Sequence, residues 1–323
     1  MSIEHKPIAG STAFVLASKV KDYFQLIKFT LSFMVVFSTV VCFLIAPNEG
    51  RFSFPKSGSV LLLFAAGMLI TGSANAINQV LEKDTDAIMK RTASRPVASG
   101  RMTPLEAWIF AALTGLAGLL ILAYAFNATS AWLGLFSLIS YGFVYTPLKK
   151  VNSIAVLVGA VPGALPCMIG WVAAFGQDAV DWTGAWILFG IQFLWQFPHF
   201  WAIAWLAHTD YTKAGFRLLP GSKGPTKFTA LQTVIYSALM IPFGLLPYFF
   251  GIAGLGSLWV LLVCNLCMVA LSIRLLLRMD VKSARHVMFA SYFYLMVVLL
   301  ALYMDRTPRT AEIQTAVAEK TVN

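Results

Sequence analysis

The stretch NAINQVLEKDTDAIMKRTASRP, from Asn75 to Pro96, joins a long apolar segment to a polar loop and decides how the rest of the chain is organised. It collects amides, carboxylates and guanidinium groups in a chain in which 59% of residues are hydrophobic and only 12% are charged. Ionisable groups at a membrane boundary are costly, so a cluster of them indicates a functional site. Acids and bases at these spacings suit a site that holds a metal ion and a polyanion together.

The remainder of the chain is too apolar for an ordinary soluble domain, since it carries 25 Phe among its 323 residues. A helix needs roughly 20 apolar residues to cross a bilayer. Successive stretches of that length predict nine membrane spans, at 26–46, 58–80, 104–126, 128–146, 153–175, 183–207, 228–250, 254–278 and 285–304.

The Lys and Arg residues orient these spans. If the N-terminus is cytoplasmic, most of the 24 Lys and Arg residues fall in cytoplasmic segments, as the positive-inside rule requires. The outer side then keeps Arg51, Lys56, Arg306, Arg309 and Lys320. We therefore expect a multi-pass protein of the cell inner (plasma) membrane with an outer C-terminus. Topology and anionic lipid headgroups explain the net charge of +10, so no nucleic-acid partner is expected.

The chain divides into a membrane domain at 26–304 between a cytoplasmic tail at 1–25 and an outer tail at 305–323. We expect residues 1–20 and 305–323 to be poorly ordered. The two longer connections, 81–103 and 208–227, are polar, lie on the same predicted side and could converge over one site. The predicted fold class is therefore an all-α integral membrane protein, a bundle of about nine transmembrane helices around a cavity open to the cytoplasmic side.

Helical spacing places part of the opening cluster on one face. If helix continues through the end of the second span, Asn78, Glu82 and Asp86 lie at i, i+4 and i+8 and share that face. Asn75 lies on the same side nearly one turn earlier, whereas Asp84 points away and is expected to be solvated. Carboxylate and amide oxygens suit Mg²⁺, and a diphosphate completes such a site. Asn78, Glu82 and Asp86 are therefore the predicted catalytic metal ligands.

Basic side chains near the same boundary could bind the diphosphate. Arg91 and Arg95 are four residues apart, and guanidinium groups bind phosphate oxygens bidentately. The positive-inside rule alone would explain their charge, but not the alternation of acids and bases. Lys149 could reach the diphosphate from the turn YTPLKKVN with Tyr145 as a hydrogen-bond donor, although lysines at helix ends also snorkel. Lys28 lies just inside the first span, where its charge is costly unless it faces the cavity.

A third polar region, WQFPHFWAIAWLAHTDYTKAGFRLLP at 195–220, is the candidate acceptor side of the site. His199 lies in an aromatic helical run, where a histidine is either a hydrogen-bonded packing residue or, beside Gln196, a functional one. Aromatic faces can stabilise a developing carbocation or form an interfacial belt. Asp210 opens the following loop and could cap the cavity, and Asn75 is assigned to the same side.

At these residues the chain resembles the UbiA-type intramembrane prenyltransferases. Their pattern N-x-x-x-[DE]-x-x-x-D followed by R-T-x-x-R-P is matched by Asn78, Glu82, Asp86, Arg91, Thr92, Arg95 and Pro96. Within that superfamily, SANAINQ at 73–79, the YTPLKK turn and PHFWAIAW…DYTKAG look most like the branch that farnesylates protohaem IX. The resemblance runs from about Lys28 to the last span.

The resemblance implies a transfer of farnesyl from farnesyl diphosphate to the vinyl group of haem B, with water added to give haem O. Mg²⁺ would be the cofactor, and an aromatic-walled cavity would protect the allylic cation. His199 stands where many relatives begin a second acidic motif, with Asp210 nearby, so a second metal position is open. His199 could orient or ligate the haem or accept a proton. A haem A synthase or terminal oxidase assembly factors are partners by analogy only.

Three other functions fit parts of the same pattern. A sister enzyme would prenylate a quinone precursor such as 4-hydroxybenzoate and would differ around His199. A transporter would also use intramembrane polar residues, but its binding groups commonly lie near the bilayer midplane rather than at one surface. A non-catalytic haem-binding assembly protein would need His199 or His208 but not the acids and arginines of the first loop.

Overall fold

The computed structural model describes residues 11–47, 56–221 and 224–307. The expected tail ends at 1–10 and 308–323, most of the connection at 47–57, and the predicted outer residues Arg51, Arg309 and Lys320 lie outside it. Its helices, in chain order, are α1 (Ser11–Leu26), α2 (Phe29–Ile45), α3 (Lys56–Leu81), α4 (Lys83–Ile88), α5 (Pro104–Ala125), α6 (Ala128–Ile139), a π-helix (Ser140–Tyr145), α7 (Thr146–Leu148), α8 (Ala155–Ala173), α9 (Trp182–Leu206), α10 (His208–Lys213), α11 (Lys227–Phe249), α12 (Leu255–Arg278) and α13 (Val281–Met304).

The helices confirm the all-α membrane bundle. In the described part of the chain, eight helices are long and apolar enough to cross a membrane, and the number is nine if one bent pair forms a single span. That pair is α1 and α2, which meet at an angle of 52°. The predicted first span at 26–46 is therefore mostly α2, whereas the span predicted at 128–146 runs through α6 and the π-helix to Leu148.

The N-terminal segment differs from the expected poorly ordered tail, because residues 11–26 form α1. Charged and polar contacts tie this helix to the start of α5 and the loop before it. The Lys19 ammonium lies 3.2 Å from the Glu106 carboxylate, which also accepts a 3.0 Å hydrogen bond from the Tyr23 hydroxyl. Arg101 Nε donates to Asp22 at 2.8 Å. These contacts connect distant parts of the sequence, so they were not visible from local composition.

Helices α8 and α9 form the centre of the bundle. In each, 78% of the apolar stretch is buried, against 22–50% in the other candidate spans. Small residues allow close approach of backbones, as is common between membrane helices. At Gly170 in α8, an added Cβ atom would collide with the Thr39 carbonyl oxygen of α2. The absence of a side chain at Gly170 thus sets the distance between α2 and α8.

We expect Gly170→Ala to lower the stability of the bundle by about 3 kcal/mol or more, because a backbone carbonyl has little freedom to move away and overpacking is costly. Thermal unfolding of the purified protein in detergent measures this loss. The matched control is Gly67→Ala, whose methyl would meet the Val36 side chain at 3.0 Å. An unchanged melting temperature for Gly170→Ala would show that the two helices are not held at this separation.

Candidate active site

The helical face predicted from the sequence is present, but the helix is interrupted within it. Helix α3 ends at Leu81, Glu82 adopts a non-helical conformation, and α4 starts at Lys83. Backbone hydrogen bonds from Glu82 N to Asn78 O and from Asp86 N to Glu82 O bridge the break at 3.0 and 2.7 Å. Asn78, Glu82 and Asp86 are all buried, whereas Asp84 is exposed. The interruption therefore preserves the shared face.

Each buried acid has its own buried or partly buried base. Lys149 Nζ lies 2.5 Å from Glu82 Oε1, and Arg95 Nη1 lies 2.6 Å from Asp86 Oδ2. The side chain of Asp86 is fully buried, and that of Arg95 is 18% exposed. A buried charge is tolerated only when it is paired or coordinates a metal. The bases predicted to bind a diphosphate thus also neutralise the acids predicted to bind a metal.

Asn78 connects the acids to a third base. Its Oδ1 atom accepts a 2.8 Å hydrogen bond from Lys28 Nζ, and its Nδ2 group donates to Glu82 Oε2 at 2.8 Å. The same Nδ2 group also lies 3.3 Å from Thr146 Oγ1. Asn78 therefore orients Glu82 and Lys28 directly. Metal coordination by its amide oxygen, which still has a second lone pair, stays a prediction.

The π-helix at Ser140–Tyr145 places the second half of this site. Its wide turn is followed directly by Thr146, which contacts Asn78, and Lys149, which pairs with Glu82. Lys149 Nζ also lies 4.8 Å from the centre of the Tyr145 ring. Single π-turns inside helices are rare and are frequent at functional sites. Tyr145 therefore contacts Lys149 through its ring. Its role as a hydrogen-bond donor to a diphosphate stays a prediction.

The donor set fits a hard cation that is completed by an anionic substrate. Among the described residues, no group of three or more His, Cys, Asp or Glu side chains could hold a metal ion by itself. However, Asp86 Oδ1 and Glu82 Oε1 are buried without a hydrogen-bond donor, although Glu82 Oε1 retains its ion pair with Lys149. Mg²⁺ is usually held by one or two carboxylates together with substrate phosphates. Two carboxylates with unused lone pairs satisfy that requirement.

The two long loops converge on this site. Arg91 is exposed and its Nη2 atom lies 3.4 Å from the Tyr211 hydroxyl of the second loop, while Arg217 N donates to Lys149 O at 2.8 Å. Arg91 thus lies at the rim and contacts Tyr211, whereas Arg95 reaches Asp86. A small apolar cluster joins the loops through Met89, Ala214 and Phe216.

A polar cleft lies beside Lys149 and opens between the second loop and the turn at 151–153. Its lining includes His208, Tyr211, Arg217 and Asn152, and no Asp or Glu belongs to the described lining. Asp210, predicted to cap the cavity, is partly exposed in α10 and does not line this cleft. The cleft therefore presents donors and positive charge next to the paired acids.

His199 lies in a separate part of the bundle, between α9 and α13. Its ring stacks on Trp195 at 4.8 Å between centroids and meets the edge of Tyr292 at 5.1 Å. His199 Nδ1 lies 2.8 Å from Ser291 Oγ, and Ser291 Oγ donates to Met288 O at 2.6 Å. Because a hydroxyl has one hydrogen, Ser291 accepts from Nδ1–H, which leaves Nε2 of the neutral imidazole as an acceptor.

The other predicted acceptor residues face different neighbours. Gln196 Nε2 donates to Ala160 O at 2.9 Å, and Asn75 Nδ2 donates to Ile27 O and Ser32 Oγ at 3.1 and 3.0 Å. Asn75 therefore belongs with the junction of α1 and α2, on the Lys28 side of the site. The structure does not bring Asn75 into contact with Gln196 or His199 within the described residues.

An apolar crevice runs along α3 from Asn75 back to Leu63. Twelve residues at 1.5 Å each make it roughly 18 Å long. Its walls are mostly aliphatic, with Tyr141 as the aromatic side chain. The aromatic walls expected of the cavity thus stay a prediction, since this crevice has few rings and rings of α9 pack against Tyr236 of α11 and Tyr292 of α13.

Sequence reasoning passed over three polar residues that organise these neighbourhoods. They are Gln79, Thr146 and Ser291. Gln79 is fully buried and donates to two backbone carbonyls, Gln25 O and Leu26 O, at 3.0 and 2.9 Å. A signal for it was available, since Asn75 and Gln79 are four residues apart and share a helical face.

Fold and site together define a multi-span membrane protein with a buried, charge-rich site for an anionic ligand at one end of its helices. The chain belongs to the UbiA prenyltransferase family, whose sequence profile matches residues 35–299. It is 43% identical over 291 residues to a protoheme IX farnesyltransferase of Cytophaga hutchinsonii, covering 90% of this chain and 99% of that protein. It is 40% identical to the enzyme of that name from Flavobacterium johnsoniae, covering 88% and 94%. The resemblance seen in the sequence motifs is thereby confirmed.

Solved structures share the fold. A structure of digeranylgeranylglyceryl phosphate synthase matches with a TM-score of 0.73 at 21% identity, covering 89% of this chain and 98% of that one. A UbiA homologue from Archaeoglobus fulgidus bound to GPP and Mg²⁺ matches with a TM-score of 0.58 at 17% identity, covering 87% and 99%. At these identities the comparison supports the arrangement of helices alone.

We expect Lys149→Met to destabilise the protein by about 3–5 kcal/mol, because it leaves the buried Glu82 carboxylate without its base. Adding Glu82→Gln should recover most of the loss, since the uncompensated charge is then removed. Lys150→Met is the matched control, because Lys150 is the next residue and is exposed. Thermal unfolding of the wild-type protein and the three purified variants tests this pairing, and equal melting temperatures for Lys149→Met and Lys150→Met would contradict it.

Proposed function

We propose that this protein transfers a farnesyl group from farnesyl diphosphate to the vinyl group of haem B, with addition of water, to give haem O and diphosphate. The observation that carries the proposal is the buried pairing of Glu82 and Asp86 with Lys149 and Arg95, beside an apolar crevice. The names of the relatives and the membership of the UbiA family support the choice of donor and acceptor.

The charged residues would bind and activate the diphosphate. Glu82 and Asp86, with Asn78, would hold Mg²⁺, which would neutralise negative charge on the diphosphate when bound. Lys149, Arg95 and Lys28 would stabilise the charge that develops on the leaving oxygen as the bond from carbon to oxygen breaks. Fixed charges in a site shielded from water are most effective when they face charge that develops in the transition state.

The crevice along α3, whose free volume is about 100 Å³, would have to widen to hold the farnesyl chain. Its apolar length begins at Asn75, one turn before Asn78, so the reactive end of the chain would lie at the charged site. Apolar walls would also keep water away from the allylic cation until the electron pair of the vinyl group forms the new carbon–carbon bond. Water then adds to the cation left on the acceptor, and a proton is released.

The acceptor would approach from the second loop. The cleft beside Lys149 has Arg217 and His208 in its lining and no acid in the described lining, which suits an acceptor with carboxylate substituents such as haem B. His199 would act from between α9 and α13, where the inferred tautomer leaves Nε2 free to ligate iron or accept a proton. Arg91 and Asp210 at the rim would assist entry of the substrates.

The membrane setting follows from the same proposal. We infer that the protein resides in the cell inner (plasma) membrane with its N-terminus in the cytoplasm and its C-terminus outside, because that orientation places most Lys and Arg residues in the cytoplasm. A haem A synthase or terminal oxidase assembly factors would act on or with its product, by analogy with related pathways.

Asp86→Asn is expected to reduce haem O formation at least about 100-fold, because the carboxylate that would hold Mg²⁺ is lost. Glu82→Gln should have a similar effect. Asp84→Asn is the matched control, since Asp84 lies two residues away but is exposed, and it should keep activity within ~2-fold. Product is measured by chromatography of haem extracted after incubation with haem B, farnesyl diphosphate and Mg²⁺.

Haem absorption spectra of the same variants separate an enzyme from a binding protein. Asp86→Asn should still bind haem B while turnover is lost. An active Asp86→Asn variant would overturn the proposed role of the acids. A wild-type protein that modifies 4-hydroxybenzoate but not haem B would overturn the proposed acceptor.

His199→Ala tests the acceptor side independently of the diphosphate side. We expect turnover with haem B to fall at least about tenfold, because Nε2 is removed from the acceptor side. Binding of pyrophosphate with Mg²⁺ should remain close to wild type, because His199 lies away from the paired acids. Ser291→Ala, which removes the hydrogen bond to Nδ1, should show a smaller loss of the same kind. Weaker pyrophosphate binding in His199→Ala would contradict this division of the site.

A further inference from the structure

The junction between α1 and α2 is the most strained segment near the charged site. Lys28 has φ 49° and ψ 57°, a left-handed conformation that residues other than glycine rarely adopt. Such a conformation costs on the order of 1–3 kcal/mol and persists only when surrounding contacts enforce it. The direction of the chain changes there by 52° between the two helices.

Two amides of α3 supply the enforcing contacts. The carbonyls at the end of α1 and at Ile27 lose regular helical partners where the chain turns, although Gln25 O accepts from Lys28 N at 3.2 Å and Ile27 O from Ser32 Oγ at 2.6 Å. Gln79 Nε2 donates to Gln25 O and Leu26 O, and Asn75 Nδ2 donates to Ile27 O. Gln79 is fully buried and Asn75 is 2% exposed, so water is a poor substitute for either. Three consecutive carbonyls are therefore satisfied from one face of α3.

The same face of α3 contains the acceptor of the Lys28 side chain. Asn78 lies between Asn75 and Gln79 in sequence, and its Oδ1 atom accepts the 2.8 Å hydrogen bond from Lys28 Nζ. Helix α3 thus holds the backbone that leads into Lys28 and receives its ammonium group. Without the backbone contacts, the junction would relax toward a regular helix, and the ammonium would leave Asn78.

We propose that Gln79 is a positioning residue, which together with Asn75 holds Lys28 in the left-handed conformation so that its ammonium group reaches the diphosphate site. The identity of the ligand as a diphosphate rests on the proposed function, whereas the contacts of Gln79, Asn75 and Lys28 do not depend on it. Gln79 would not bind the diphosphate itself, because its amide nitrogen is engaged by the two carbonyls and its buried Oε1 atom can only accept hydrogen bonds. Its effect on diphosphate binding passes entirely through Lys28.

A double-mutant cycle with Gln79→Met and Lys28→Met tests this coupling. The measured quantity is the affinity of the purified full-length protein for inorganic pyrophosphate with Mg²⁺, determined by calorimetry. Each single variant should weaken binding roughly tenfold, which is the effect of losing one charge-assisted contact. The double variant should be no weaker than Lys28→Met alone. Ser73→Ala is the control, because it removes a buried bond from α3 to Ala111 O and should leave pyrophosphate affinity unchanged.

Two results would overturn the proposal: losses that multiply in the double variant, or normal affinity in Gln79→Met. If Gln79→Met does not fold, Gln79→Asn replaces it, because asparagine keeps the amide donor on a side chain one methylene shorter. Gln79→Asn should lose less pyrophosphate affinity than Lys28→Met does, and it should cause no further loss when it is combined with Lys28→Met. The failure of the proposed function looks different, since the wild-type protein would then bind no pyrophosphate or would bind it and form no haem O.

Discussion

The structure depends on the need to neutralise two carboxylates inside a bundle that crosses a membrane. Glu82 and Asp86 have almost no contact with solvent, so each requires a base, and the bases come from different elements. Arg95 comes from the loop that follows α4, and Lys149 follows α7. Breaking one such pair is far more costly than losing an exposed ion pair. The pairing thereby fixes how the first loop and the π-helix segment approach each other.

Different parts of the fold supply the two halves of the proposed reaction. The charged half is built around one face of α3 and its short continuation, with bases from the loop after α4, the turn after α7 and the junction of α1 and α2. The acceptor half is dispersed, because His199 is held by Ser291 and Trp195 while the polar cleft lies under the second loop. The proposed reaction requires the donor to ionise in a fixed orientation, and the paired charges around Glu82 and Asp86 are suited to holding it.

The sequence predicted the features that depend on period and length. Apolar stretches gave the spans, and i, i+4 spacing placed Asn78, Glu82 and Asp86 on one face although the helix breaks at Glu82. The spacing of Asn75 and Gln79 indicated a shared helical face, but it could not predict the partners of Gln79, which are backbone carbonyls at the end of α1. The helical state of residues 11–25 was missed for a similar reason, since its ion pairs join residues about 80 positions apart. The aromatic rings of α9 suggested a cavity wall, but their stacking partners on α11 and α13 are set by tertiary packing.

The π-helix makes chain length, rather than residue type, the determinant of where Lys149 lies. A single residue more or less in a helix rotates everything after it by about 100° and shifts it by 1.5 Å. The wider turn of the π-helix at Ser140–Tyr145 takes up one extra residue between α6 and the turn. Lys149 therefore lies on the side of the helix that approaches Glu82. The position of the Lys149 side chain thus depends on the number of residues between α6 and the turn. A chain with one fewer position in this segment would turn its lysine about 100° away from Glu82 and leave that acid without its base.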